Sequence, residues 1–187
     1  MGTSVNQRSP STPNWRLVQD AYDDPKIAID QALREVWRAA SNPNEVNLTS
    51  LLTEPVVASF ADVAARSASP AQAFEEMTRV ISDSKVSSLA TDIAKRAVIQ
   101  SAGRENPAQV YTERLFAEAT NYLVSRDLPG HVTPGSRLQN VGDARRFTQQ
   151  IIETAVDAVR RTGTPRSLMD DWSGFVNSVV STIRRRR

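Results

Sequence analysis

The feature that most constrains the fold is a helix start signal that recurs along the chain. A residue that can cap a helix is followed directly by proline at Asp24-Pro25, Ser69-Pro70, Asn106-Pro107 and Thr164-Pro165, and less strongly at Glu54-Pro55. The capping oxygen accepts a hydrogen bond from a backbone N–H that lacks a partner in the first turn, and proline has no N–H to leave unpaired there. Each dipeptide therefore predicts that a helix begins at its proline.

Behind these start signals, apolar residues lie three or four positions apart, which is the period of an amphipathic helix. One stripe consists of Ile151, Ala155 and Val159, and the longest runs from Leu168 through Trp172 to Ile183. No Asn-Gly or Asp-Gly turn and no convincing pair of alternating segments indicates a β-hairpin. Since 187 residues suit one domain, the sequence predicts an all-α, single-domain bundle of about seven helices.

Composition divides the chain further. Residues 1–14 are polar, contain two prolines and are predicted to be a flexible arm. The helical domain is expected to span residues 15–183, with a basic tail at 184–187. Within the domain, residues 127–142 hold three glycines and two prolines, which predicts a long loop. A loop of that length in a compact domain is often functional.

The residue types argue against several classes of chemistry. The chain has no cysteine, which excludes disulfides, zinc–thiolate sites and thiol nucleophiles. His131, the only histidine, lies in the predicted loop without a motif partner, and we expect it to be solvated and not catalytic. Glycine-rich phosphate loops and metal-binding motifs are also missing. We therefore expect a protein that is not an enzyme and that uses no cofactor and no metal.

The apolar runs bear on localisation, because none is long enough to span a bilayer or to form the core of a signal peptide. The expected protein is neither transmembrane nor secreted, has no membrane partner, and is located in the cytoplasm or in a virion.

Basic residues are unevenly distributed in type and position. The chain has 20 Arg and only 3 Lys, and the planar guanidinium suits phosphate and carboxylate groups. Residues 1–136 carry 13 basic and 16 acidic groups, whereas residues 137–187 carry 10 basic and 5 acidic groups. A nearly neutral body therefore continues into a basic C-terminal third, which points to a nucleic-acid or acidic partner.

The predicted helix 143–162 carries two arginine pairs within about 160° of one another, opposite its apolar stripe. Glu153 and Asp157 share that face, so a solvated, salt-bridged surface is the alternative interpretation. The run of four arginines at the end exceeds what helix capping requires. The candidate nucleic-acid-binding residues are Arg137, Arg145, Arg146, Arg160, Arg161, Arg184, Arg185, Arg186 and Arg187.

Three segments of this basic third carry a resemblance. They are DARRF at 143–147, RTGT at 161–164 and RSLMDDWSGFV at 166–176. Their order resembles the C-terminal part of the helical coat proteins of rod-shaped plant RNA viruses of the tobacco mosaic virus type. The resemblance implies helical self-assembly around single-stranded RNA. It also implies that Arg145 and Arg146 begin the helix leading away from an inner, RNA-proximal loop at 127–142.

Two functional hypotheses follow. The first is a non-enzymatic, all-helical RNA-binding and self-assembling protein, such as a viral coat or nucleocapsid subunit, that forms a homo-oligomer, prefers RNA to DNA and binds through Arg–phosphate contacts. The second is a helical adaptor with no nucleic-acid role, which binds a protein partner through the stripe Trp172, Phe175, Val176 and Val179. Packing of that stripe within the domain is the simpler interpretation of the same residues.

Overall fold

The computed structural model describes residues 13–16, 24–42, 47–82, 88–132, 138–163 and 170–185. These residues form helices and no strand, which confirms the all-α prediction. In chain order the helices are α1 (Pro25–Ala40), α2 (Leu48–Leu52), α3 (Pro55–Arg66), α4 (Pro70–Ser82), α5 (Ser88–Ser101), α6 (Pro107–Asp127), a 3₁₀ helix (Leu128–His131), α7 (Val141–Thr162) and α8 (Trp172–Arg185).

The proline start signals correctly predict where four helices begin, at Pro25, Pro55, Pro70 and Pro107. The side chain of Asp24 accepts hydrogen bonds from two backbone N–H groups of the first turn of α1, as a cap should. Asn106 behaves differently: its backbone is left-handed, with φ 52°, and its side chain makes no capping bond. At this position proline marks the helix start without help from a side-chain cap.

The predicted start at Thr164-Pro165 lies outside the described residues. Helix α8 begins at Trp172, and the carboxylate of Asp171 accepts a hydrogen bond from the N–H of Gly174 at 3.1 Å. A carboxylate in this position caps the first turn, as serine or asparagine does elsewhere. The first turn of α8 thus has a cap that the proline signal did not identify.

The core centres on α6, which packs against α1, α3, α5 and α7. An unbroken chain of ring contacts runs through it, from Trp37 to Phe116, Phe175, Trp172 and Tyr111, with centroids 5.3 to 6.5 Å apart. Aromatic pairs at such separations add to the stabilisation from burial alone. Helices distant in sequence are therefore joined by one aromatic cluster.

The polar ends of these aromatic residues are satisfied inside the core. The Trp37 indole donates to Thr120 at 3.1 Å, and the Tyr111 hydroxyl donates to the carbonyl of Val57 at 2.6 Å. The Trp172 indole donates to the carbonyl of Leu52 at 2.7 Å, which ties α8 to α2. Burial raises the pKa of Tyr111 well above its ordinary value, so this phenol remains a hydrogen-bond donor.

Burial of the α8 stripe corrects the protein interface that the adaptor hypothesis predicts. The four residues proposed as a protein interface are between 0% and 4% exposed: Trp172, Phe175, Val176 and Val179. Trp172 and Phe175 belong to the aromatic cluster, and all four residues lie in the core because α8 packs against α1, α2 and α7. This face is part of the core and offers no surface to a partner.

Where the structure describes them, the segments predicted as loop and tail are more structured than expected. At the junction of the predicted arm and domain, the N–H of Asn14 donates to Glu35 at 3.1 Å, and Trp15 is buried. His131 is half buried, with its ring 5.7 Å from that of Trp15, so it is not the solvated residue we expected. Helix α8 includes Arg184 and Arg185, so half of the predicted tail is helical. Residues 1–12, 133–137 and 186–187 lie outside the described parts.

One finding concerns membranes. Among the described helices, none is both long enough and apolar enough to cross a bilayer.

Candidate nucleic-acid interface

Helix α7 presents its arginines to solvent because its other face is buried. Ile151, Ala155 and Val159 are at most 1% exposed and pack into the core. The two arginine pairs, Arg145–Arg146 and Arg160–Arg161, are all exposed. The amphipathic pattern read from the sequence therefore predicted the orientation of this helix correctly.

Arg160 is nevertheless held in an ion pair by α6. Its Nε and Nη2 donate to the two carboxylate oxygens of Glu113 at 3.1 and 2.9 Å, and its Nη1 lies 3.7 Å from Asp157. Such a two-pronged arrangement fixes the guanidinium geometrically. The hydrogen bond and charge of Glu113 raise the pKa of Arg160 above its ordinary value. Arg160 thus acts mainly as a link between α6 and α7.

Glu113 is the residue that the sequence analysis missed. Burial tends to raise the pKa of this carboxyl, but hydrogen bonds from Arg160 and Gln109 and the nearby positive charges outweigh burial and lower it from 4.5. The carboxylate therefore stays ionised over a wide range of pH. The sequence analysis considers only carboxylates of the same helix, Glu153 and Asp157, as partners for these arginines.

Arg146 is also paired, but locally. It donates to Asp143 at 2.5 Å, and Asp143 in turn bonds Asn140, the N-cap residue of α7. Its side chain remains 79% exposed. The pair leaves the guanidinium at the protein surface, with much of its charge balanced by Asp143.

Four candidate arginines have no ion-pair partner among the residues that the structure describes: Arg145, Arg161, Arg184 and Arg185. All four are exposed. An unpaired, solvated guanidinium keeps its five donors available to phosphate or carboxylate oxygens. These residues are the best placed of the described candidates to contact an anionic partner.

Three of the four lie at one end of the molecule. The Thr162 hydroxyl donates to that of Thr182 at 3.3 Å, which joins the last turn of α7 to the end of α8. Arg161 directly precedes Thr162, and Arg184 and Arg185 follow Thr182 within three positions. We call these three residues the C-terminal arginine cluster. Arg186, Arg187 and Arg137 lie outside the described residues.

Arg145 belongs to a different surface. It precedes Arg161 by 16 positions on α7, or about 24 Å at 1.5 Å per residue. There it lines an open groove of about 890 Å³ between α6, the 3₁₀ helix and α7, which we call the α6–α7 groove. Apolar residues make up much of the lining: Leu128, Pro129, Val132, Val141, Ala144 and Ile152.

A second cavity of about 400 Å³ continues the groove toward the Glu113–Arg160 pair. Gln149 and Ile152 line both cavities. Because Glu113 lies beside Arg160, and Asn121 and Ser125 lie beside the first half of α7, the two helices run antiparallel. The two arginine pairs that the sequence predicts on one face of α7 therefore lie at two sites with different neighbours.

The described residues contain no group of three His, Cys, Asp or Glu side chains placed to hold a metal ion. Comparisons of this chain with protein families, curated proteins and solved structures give no match.

Proposed function

We propose that the protein binds RNA through phosphate contacts made by the C-terminal arginine cluster. The observation that carries this proposal is the presence of three exposed arginines at one end of the molecule, none with a carboxylate partner among the described residues. Arg186 and Arg187 follow directly in the sequence and add two further positive charges. Guanidinium groups with free donors are well suited to the oxygens of a phosphate backbone.

The expected binding is electrostatic and tolerant of sequence. In the last helical turn no aromatic side chain interleaves with the arginines, so base stacking contributes little. Each phosphate neutralised on a single strand contributes about 0.7 to the dependence of log affinity on log salt concentration. Five arginine contacts therefore predict a slope of about 3.5.

The test is a titration of labelled polyuridylate RNA with the full chain at two salt concentrations. A triple variant, Arg161→Gln, Arg184→Gln and Arg185→Gln, removes the cluster. A matched variant, Arg79→Gln, Arg104→Gln and Arg114→Gln, removes the same charge from exposed residues elsewhere. We expect the first to reduce the salt slope by about 2, from the loss of three contacts, and the second to leave it nearly unchanged.

Equal losses in the two variants would show that only net charge matters and would overturn the cluster as the site. Binding that does not change with salt, or no binding by the native chain at low salt, would overturn the RNA proposal itself. A single-stranded DNA of the same length tests the expected preference for RNA, which depends on contacts to the 2′-hydroxyl.

We further propose that the protein self-associates on RNA. The resemblance to rod-shaped virus coats supports this, as do exposed large apolar residues on several helices: Ile27, Phe74, Ile99 and Tyr122. Sedimentation velocity with and without RNA should reveal species larger than the 20.6 kDa chain, increasing in size when RNA is added. A monomer at every concentration would contradict self-association and leave the RNA proposal intact.

A further inference from the structure

The RNA proposal makes no use of the α6–α7 groove. Residues of α7 line it at the spacing of one helical face: Val141, Ala144, Arg145, Thr148 and Ile152. Val141 is 68% exposed, a large fraction for an apolar residue that borders a cavity. At about 890 Å³, the groove falls within the range of about 300–1,000 Å³ typical of small-molecule sites.

The charge on the groove is of one sign. Among the described residues that line it, two are basic, Arg145 and Arg146, and none is acidic. Asp143, just outside the lining, balances Arg146. Arg145 has no such partner in the described structure. The groove therefore offers one uncompensated guanidinium beside an apolar surface.

The neighbouring cavity has the opposite character. Glu113, Glu153 and Asp157 line it together with Arg114 and Arg160, and Glu113 and Asp157 are within ion-pair distance of Arg160. An anionic group gains little there, since the three carboxylates outnumber the two guanidiniums. This asymmetry favours Arg145 as the partner for the head of an anionic ligand, and Val132, Val141 and Ile152 for its apolar part.

We propose that the α6–α7 groove binds a free single-chain amphiphile with one terminal carboxylate, such as a fatty acid. A carboxylate matches the two-pronged donor geometry of one arginine. A phosphomonoester carries nearly two negative charges, which a single free guanidinium does not balance. The apolar lining removes the chain from water, which is the main driving force for such ligands.

The experiment is calorimetric titration of the full chain with dodecanoate below its micellar concentration, beside 1-dodecanol and dodecyltrimethylammonium. We expect dodecanoate to bind with one-to-one stoichiometry, and the alcohol and the cation to bind at least about tenfold more weakly, because neither bonds Arg145 as an anion does. The melting temperature should rise with dodecanoate, because a ligand specific for the folded state stabilises it.

Two variants locate the site. Arg145→Gln should weaken dodecanoate binding about tenfold, whereas Arg161→Gln, about 24 Å away on the same helix, should not change it. Val141→Gln replaces an exposed apolar side chain and should weaken dodecanoate binding without changing RNA affinity. Failure of the RNA proposal would leave these results unaffected, so the two proposals are tested separately.

Three outcomes would overturn the proposal. Equal binding of the cationic amphiphile would show unspecific adsorption, and equal losses with Arg145→Gln and Arg161→Gln would show attraction to net charge alone. A melting temperature that falls with dodecanoate would show that it acts as a denaturing detergent.

Discussion

The two ends of α7 carry the same residue type and differ in what surrounds it. At the N-terminal end, Arg145 borders an apolar groove about 890 Å³ in volume, and the neighbouring Arg146 is balanced by Asp143. At the C-terminal end, Arg160 is fixed by Glu113, while Arg161 precedes Thr162, which bonds Thr182 in the part of α8 that carries Arg184 and Arg185. A guanidinium beside apolar surface suits an amphiphilic anion, whereas grouped guanidiniums suit a polyanion.

The comparison shows that an arginine pair in a sequence does not specify a function. Both pairs occupy the outward face of one amphipathic helix, and the sequence treats them alike. Residues from α6 and α8, distant along the chain, distinguish the two ends in space. The predictions below perturb one end at a time, beginning with the largest expected effect.

The largest expected effect is the loss of stability when Trp172, in α8, is replaced by alanine. The indole is 4% exposed and bonds the carbonyl of Leu52, so truncation leaves a cavity and an unpaired acceptor. We expect the free energy of unfolding to fall by about 3–5 kcal/mol, measured by denaturant titration. Val141→Ala, at the other end and largely exposed, should change it by less than about 0.5 kcal/mol. A loss below about 1 kcal/mol for Trp172→Ala would contradict the burial of the α8 stripe.

A smaller loss of stability is expected when the N-terminal cap of α7 is removed. The side-chain oxygen of Asn140 caps this helix by accepting from the N–H of Asp143 at 3.0 Å. Asn140→Ala removes the cap and should reduce the free energy of unfolding by about 1 kcal/mol in the same titration. Asn140→Ser keeps a capping oxygen without adding a negative charge beside Asp143, and serves as the matched control, which should recover most of the loss. Equal losses for both variants would mean that the cap does not stabilise the helix.

Removing the carboxylate that binds Arg160 should increase the difference in RNA binding between the two ends of α7. Glu113→Gln removes the carboxylate charge that holds the guanidinium, which then keeps only its 3.7 Å contact with Asp157. We expect the salt slope of RNA binding to increase by up to about 0.7, with a cost in stability of less than about 1 kcal/mol. Glu153→Gln makes the same charge change on α7 without touching Arg160 and should leave the slope nearly unchanged. An identical slope in both variants would show that the ion pair does not restrain Arg160.

Much of the fold was predictable from local rules. Pro25, Pro55, Pro70 and Pro107 begin helices because the chemistry of the first turn is set within four residues. The outward face of α7 could be predicted from the spacing of its apolar stripe, because that spacing identifies the buried face whichever helix packs against it. The prediction for α8 was less secure, because an apolar stripe has the same pattern whether it packs in a core or against another protein.

The features that the sequence did not predict depend on contacts between distant residues. Glu113 and Arg160 are separated by 47 positions, and their pairing depends on α6 and α7 running antiparallel. The α6–α7 groove requires the same packing, although the spacing of Val141, Ala144, Thr148 and Ile152 does indicate a second apolar stripe beside the core. The capping role of Asn140 was missed because its helix begins two residues before the predicted start.

The smallest expected effect is a dependence of stability on pH in the acid range. Because the pKa of Glu113 is lower in the folded chain than its ordinary value of 4.5, its ionisation stabilises the folded state above that pH. This contribution is lost as the pH falls from 4.5 through the lowered value, where the carboxylate becomes protonated and releases Arg160. The melting temperatures of the native chain and of Glu113→Gln should therefore differ at about pH 6 and converge as the pH falls below 4.5 through the lowered pKa.

The matched variant for this last test is Arg160→Gln, which removes the main cause of the lowered pKa while keeping the carboxyl. The Arg160→Gln variant should lack the same pH-dependent contribution to stability that Glu113→Gln lacks. A difference between native and variant melting temperatures that stays constant from neutral to acid pH would mean that the pair contributes through packing alone. The charge of Glu113 would then not be what distinguishes Arg160 from its neighbour Arg161.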